Sequence, residues 1–276
     1  MRLPAWHAHP DVWLVLGSVV AAYLIACRRH ERVTGEQTPR RARRLFVGGA
    51  GVLWLASEWP IHDLAEGYLY SAHMVQHLLY SLVAAPLLVA GTPGWLVRRV
   101  LEVRPFGAAF RFVVRPLPAL VLFNAVLLFT HWPAVVGASV SSELTHFSLH
   151  VLVVGSAYVM WWPIVSPLPE LPPLAPPMQM LYLFVQSLAP TIPASFLTFG
   201  TSPLYPVYAT FPRIWEMSAL TDQLIAGLTM KLVGGAILWA VIAVVFFRWG
   251  NREQREGWDA VQWQRLEREV RAGMGR

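Results

Sequence analysis

The chain has 276 residues, of which 55% are hydrophobic and only 14% charged, with 13 tryptophans and a single cysteine. A soluble domain this apolar has too little polar surface to cover itself, so the composition predicts an all-α integral membrane protein. The lone Cys27 excludes an internal disulfide framework and any multi-cysteine metal site, and the net charge of +6 sits in loops rather than in a nucleic-acid-binding patch.

Taken in order, apolar runs of bilayer length predict a bundle of seven transmembrane helices at about 11–28, 44–62, 68–91, 117–137, 143–165, 177–199 and 222–248. Prolines mark the junctions at Pro60, Pro93, Pro116, Pro133 and Pro203, while Pro86 and Pro190 fall inside segments and predict kinks. Leu24-Ile-Ala-Cys27 resembles a lipoprotein cleavage site, but the stretch before it is poorly basic and contains Asp11, so the first segment reads as a span. Residues 1–250 form the transmembrane domain in this reading. Residues 251–276 form a cytoplasmic tail, either amphipathic through Trp258, Val261, Leu266 and Val270 or unstructured.

Nineteen of the 22 basic residues lie in three places: the loop after the first segment, the loop after the third, and the C-terminal tail. With seven spans all three fall on one side. The positive-inside rule therefore puts the N-terminus outside and the C-terminus in the cytoplasm, with anionic lipid as the arginines' partner.

Topology then assigns depth. The third segment carries His73 and His77, four residues apart and so on one helix face, about 8 and about 14 Å from its outer end. The fifth carries His146 and His150 at the same spacing, with Glu143 one turn above. His131 closes the fourth segment, Glu58 and His62 close the second, and His7 and His9 lie on the outer tail. Eight of nine histidines thus fall on the outer side, with His30 the exception, which predicts one shared site. Glu66, Tyr70, Gln76 and Tyr80 extend the polar stripe of the third segment. The seventh adds Asp222, Gln223, Met230 and Lys231, and an intramembrane lysine requires a partner such as Glu58, Asp222 or Glu143.

Two pairs of imidazoles on separate helices can present up to four nitrogens to a metal ion, and neutral imidazole suits copper, zinc, iron and nickel. The thioethers of Met74 and Met230 shift that choice toward copper. The expected ligands are His73, His77, His146 and His150, with Met74 and His131 auxiliary. His62, Glu58, Met230, Lys231 and Asp222 complete the polar core, and His62, His7 and His9 form an inlet relay. Trp161-Trp162-Pro163 reads as an aromatic anchor at the inner interface, and Gly48, Gly49, Gly51, Gly234 and Gly235 as close-packing positions.

Several ordered motifs then coincide: Pro60-Ile-His-Asp-Leu64, Ser71-Ala-His-Met-Val-Gln76, Ala85-Pro-Leu-Leu88 with Gly91-Thr-Pro93, Phe123-Asn124, His146-Phe-Ser-Leu-His150, Met160-Trp-Trp-Pro-Ile-Val165, Thr201-Ser-Pro-Leu-Tyr205, Asp222-Gln223 and Gly227-Leu-Thr-Met-Lys231. Together they resemble the multi-spanning CtaG family of bacterial cytochrome c oxidase assembly factors over most of the chain. The resemblance implies a multi-pass protein of the bacterial plasma membrane that is not an enzyme. Its implied role is to help assemble haem–copper oxidase and supply copper to an oxidase subunit, with an extracytoplasmic copper chaperone as a further partner. It also implies that His73, Met74, His131, His146, His150, Met230 and Lys231 form the polar core. His77 stands where some members have Met, and Leu224-Ile-Ala-Gly227 departs from the family pattern after Asp222-Gln223. Three other readings stay open at this point: a haem-binding redox protein using the pairs as axial ligands, a scaffold whose histidines are interhelical glue, and a proton-coupled copper transporter.

Overall fold

The computed structural model describes residues 5–274, with side chains described as far as Glu256, and among these every regular element is helical. The helices are α1 (Pro10–Thr34), α2 (Arg40–Ala56), α3 (Ile61–Gly67), α4 (Tyr70–Gly91), α5 (Gly94–Leu101) and α6 (Phe106–Val113). They continue with α7 (Pro116–Thr130), α8 (Pro133–Ser141), α9 (Glu143–Val165), α10 (Pro176–Phe199), α11 (Pro206–Ala209) and α12 (Ala219–Glu256). The backbone of α12 runs on as helix to Met274; the side chains of Trp258, Val261, Leu266 and Val270, and so the face they were expected to present, lie outside the described residues.

Five of these helices, α1, α4, α9, α10 and α12, are long and apolar enough to cross a bilayer. α6 and α7 together make a sixth candidate, bent by 89° at their junction. The expected second segment is shorter than its hydropathy suggests. α2 stops at Ala56, and Pro60 starts a separate short helix because its ring cannot extend the preceding hydrogen-bond ladder. The expected fourth segment likewise ends at Thr130, and Pro133 opens α8.

α4 is the central element. Half of its apolar window is buried, against 11% for α1, which lies at the periphery. α2, α9 and α12 all pack on it. The approach of α2 is very close: a Cβ on Gly91 would lie 2.3 Å from the Phe46 nitrogen, and one on Gly49 would lie 2.9 Å from Leu88 Cγ. Small residues permit such backbone proximity in membrane bundles. Gly234 approaches Leu78 in the same way, whereas Gly48, Gly51 and Gly235 face open space and are not packing positions.

Two wide turns of π geometry interrupt otherwise regular helix, at Leu79–Ala84 in α4 and at Thr229–Val233 in α12. The first ends immediately before Pro86, so the widened turn absorbs the amide that proline lacks. Pro190 breaks α10 between Leu188 and Thr191. The wide turn in α4 also explains a reassignment. Trp161 and Trp162 are each 1% exposed and belong to the main apolar core, not to an interfacial belt. The Trp161 indole N–H donates to the Ser81 carbonyl at 2.8 Å, within the segment whose hydrogen-bond ladder is disturbed.

Candidate metal centre

The two histidine pairs meet. His73 and His77 project from α4 and His146 and His150 from α9, with ring centroids 4.3 Å apart within the first pair and 4.1 Å within the second. Across the helices, His150 lies 5.7 Å from His73 and 5.4 Å from His77. His73, His77 and His150 each offer a ring nitrogen such that all three lie within 4.8 Å of one another. His73 Nδ1, His77 Nε2 and His150 Nε2 are buried and have no hydrogen-bond partner. Buried polar atoms are ordinarily paired, so three neighbouring imidazoles, each with an orphaned nitrogen, are a candidate donor set for a cation.

His146 stands beside this triad, 5.8 Å from His73; its Nε2 has no hydrogen-bond partner but lies in ion-pair range of a carboxylate. Nε2 is 2.9 Å from the Glu66 carboxylate and Nδ1 is 3.1 Å from Ser139 Oγ. Glu66 also lies 3.2 Å from His62 Nε2. Burial pushes the Glu66 carboxyl up, but the hydrogen bond from His146 and the neighbouring imidazoles of His62 and His9 outweigh it and hold the carboxyl below its ordinary range. His62 is itself pushed below its ordinary value, chiefly by burial.

The outer end continues this network. His62 packs edge-on against His9 at 4.6 Å, His9 Nε2 is 2.8 Å from Asp63, and His7 Nδ1 is 3.4 Å from the same carboxylate. Gln76, fully buried, donates to the Ala56 carbonyl at 2.9 Å and meets His62 Nδ1 at 3.2 Å, tying α4 to the end of α2 and to α3. Eight histidines thus form one connected array. His30 lies apart, stacked on Trp95 at 4.2 Å.

His131 closes the inner end of the array, 6.3 Å from His77. Its Nδ1 donates to the Leu127 carbonyl at 2.7 Å, and Tyr205 O–H holds its own carbonyl at 2.8 Å. That contact fixes the proton on Nδ1 and leaves Nε2 as a buried free lone pair. Met74 points away from the triad. It shares an apolar cluster with Met230, and both line a cavity of about 60 Å³ together with His77, His131 and Lys231.

The expected carboxylate partners of Lys231 are all committed elsewhere, and among the described residues it makes no ion pair. Glu58 accepts from the Trp13 indole and Glu143 is exposed. Asp222, 1% exposed, caps α4: it accepts from the Tyr70 amide at 2.7 Å and from the Ser71 amide and hydroxyl at 3.0 and 2.5 Å. A carboxylate at a helix N-terminus satisfies orphan amides and opposes the helix dipole.

Residues 21–252 match the family described as cytochrome c oxidase caa3 assembly factor (Caa3_CtaG). The chain belongs to that family. The matched residues take in most of the helices that are long and apolar enough to cross a membrane. Two uncharacterized mycobacterial proteins are similar, Mb0105 of Mycobacterium bovis and MT0111 of Mycobacterium tuberculosis. Each is 26% identical over 233 residues, covering 78% of this chain. The chain spans about a third of their length, 33% in each case. No solved structure matches it.

In this chain, sequence reasoning missed Asp63 and Ser139 as partners of His9 and His146, and placed Glu66 on the α4 stripe rather than between two imidazoles. The signal for Glu66 was its i,i+4 spacing from His62, which puts both on one face of α3. Ser139 lies on a separate helix seven residues from His146 and carries no sequence signature.

Proposed function

We propose that this assembly factor binds copper as cargo at His73, His77 and His150 and passes it to an oxidase subunit, acting as a carrier and not as a catalyst. The observation that carries this reading is a set of three imidazoles from two helices, each able to offer a nitrogen within 4.8 Å of the others and each with a buried nitrogen that has no hydrogen-bond partner. Neutral imidazoles ligate copper well, and three ligands leave a position open for exchange with a donor or acceptor. His146 serves as the fourth imidazole, released to the ion when Glu66 turns to His62. His62, His9 and His7, with Asp63 and Glu66, form the inlet from an extracytoplasmic copper chaperone.

In this reading α2 and α7 complete a set of seven spans in the bacterial plasma membrane. The N-terminus is outside, the C-terminus is cytoplasmic, and the arginines lie against anionic lipid. α2 is 17 residues long, about 26 Å of helix, and starts at Arg40-Arg41-Ala-Arg43-Arg44. The haem alternative is disfavoured by size. The imidazoles of the triad pack ring against ring, His150 lying 5.7 Å from His73 and 5.4 Å from His77, which leaves no gap between them for a macrocycle.

The test is copper content of the caa3 oxidase in cells carrying His73→Ala/His77→Ala at normal protein level. The proposal expects oxidase that retains haem but has lost most of its copper. Full copper loading would contradict it, and a fall in the level of the variant itself would point to the scaffold reading.

A further inference from the structure

We infer that the cavity beneath the imidazole triad is a second cation seat, selective for a soft monovalent ion, and that His77 is shared between the two. The inference presupposes the cargo reading above and names what that reading lacks, the chemistry that fixes the oxidation state of the ion. Three independent observations meet at this place. The cavity measures about 60 Å³ and is partly open, so it has room for an ion and a way in. His77 Nε2 and His131 Nε2 are buried on its wall with no partner. Both thioethers of the α4–α12 interface, Met74 and Met230, line it too, and both are nearly fully buried, at 3% and 5% exposed.

The wall therefore carries two imidazole nitrogens and two thioether sulfurs as donors for one ion. Sulfur donors select Cu(I) over divalent zinc or magnesium, whereas the all-nitrogen triad above does not discriminate so strongly. The tautomer of His131 is already set for ligation, because its Nδ1 proton is held by the Leu127 carbonyl. Among the described residues, Lys231 is the one side chain on the wall with a fixed charge, and no carboxylate there neutralises it. Its repulsion scales with the charge of the ion, so a divalent cation is opposed twice as strongly as a monovalent one. Met230 and Lys231 both stand on the wide turn of α12, and His77 closely precedes the wide turn of α4. π segments recur at such sites because they re-aim side chains that a regular helix would point elsewhere. Transfer from triad to cavity is a ligand exchange at His77. The ion stays Cu(I) throughout, and no electron donor or acceptor is required.

The experiment uses the full chain purified in detergent, titrated with Ag(I) as a redox-inert soft probe and separately with Zn(II), with X-ray absorption at the silver edge. The wild type is expected to bind two silver ions, one at His73 and His150 and one with sulfur neighbours, His77 serving one of them at a time, and one zinc ion at the full triad. Met74→Leu/Met230→Leu should bind one silver ion with no sulfur signal and an unchanged zinc ion; these swaps nearly conserve volume. His73→Ala/His150→Ala should lose zinc and keep one sulfur-bound silver ion. Silver that shows no sulfur in the wild type, or two silver ions retained by the leucine variant, overturns the inference. If the leucine double variant does not fold, Met230→Leu alone must halve the sulfur coordination, and an unchanged spectrum overturns the inference. Zinc retained by the His73/His150 variant, with the sulfur site intact, sinks the triad reading and leaves the cavity seat standing.

Discussion

At the scale of single residues, Glu66 has the largest unexpected role. Its carboxylate lies between His62 and His146 and adds a negative charge beside the imidazole array. Its side chain is 40% exposed, so solvent discounts the attraction to a bound cation to about 1 kcal/mol. Glu66→Gln should therefore weaken zinc binding about fivefold at low salt, with the difference shrinking as salt rises, as isothermal titration would show. Lys231→Leu removes the charge that opposes divalent ions and should narrow the preference of the cavity for Ag(I) over Zn(II), with the zinc stoichiometry still one. The pH dependence follows from His62. Burial keeps the folded chain from taking up a proton that the unfolded chain accepts below the ordinary value of 6.5. Stability is thus complete above about 6.5 and is lost as pH falls below it. The depressed Glu66 adds a further loss only below its ordinary 4.5. Melting temperature in detergent should fall on acidification in that order, and His62→Gln should weaken the first stage, to which the other buried histidines also contribute.

At the scale of elements, the depth of the site is set by α4 and its cap. Asp222 binds two amides and a hydroxyl at the start of α4 from another helix, so it fixes where His73 and His77 lie relative to α12. Hydrogen bonds to a buried charge contribute about 1.5–3 kcal/mol, so Asp222→Ala should lower the melting temperature and speed amide exchange at Tyr70 and Ser71. Zinc affinity should fall tenfold or more, because two ligands lose their shared register. Gly91→Val would drive a side chain into the Phe46 backbone and separate α2 from α4, whereas Gly48→Ala meets nothing within 4 Å and should be neutral or slightly stabilising. The i,i+4 spacing of each histidine pair dictates which face it occupies, and shared depth makes their meeting legible from the residues alone. The neighbours of those faces were not legible. Asp222 reads from sequence as a partner for Lys231, and only the packing of α12 on α4 turns it into a cap. Trp161 and Trp162 read as interfacial because tryptophan favours that boundary, yet a wide turn in α4 offers a buried carbonyl to Trp161. No local pattern announces a π turn, so the segments that aim Met230 and Lys231 at the cavity were invisible in the sequence.

At the scale of the whole molecule, charge and chemistry are segregated. The arginines gather in two loops and the C-terminal tail, and the histidine array lies toward the opposite end of α4 and α9. Reporter fusions after Gly35 and after Glu102 should both report a cytoplasmic location, and a fusion after Ser142 an outer one. The array runs from an exposed His7, 70% accessible, through carboxylate-bridged imidazoles to the unpartnered triad and then to a thioether-lined cavity. Ligand character thus softens with depth, which is the gradient a carrier of Cu(I) requires. The most direct test of the central claim is Cu(I) binding to the purified protein under reducing conditions, measured against a competing chelator. The wild type is predicted to hold copper that His73→Ala/His77→Ala/His150→Ala loses. Equal copper in both proteins, or none in either, would contradict the account.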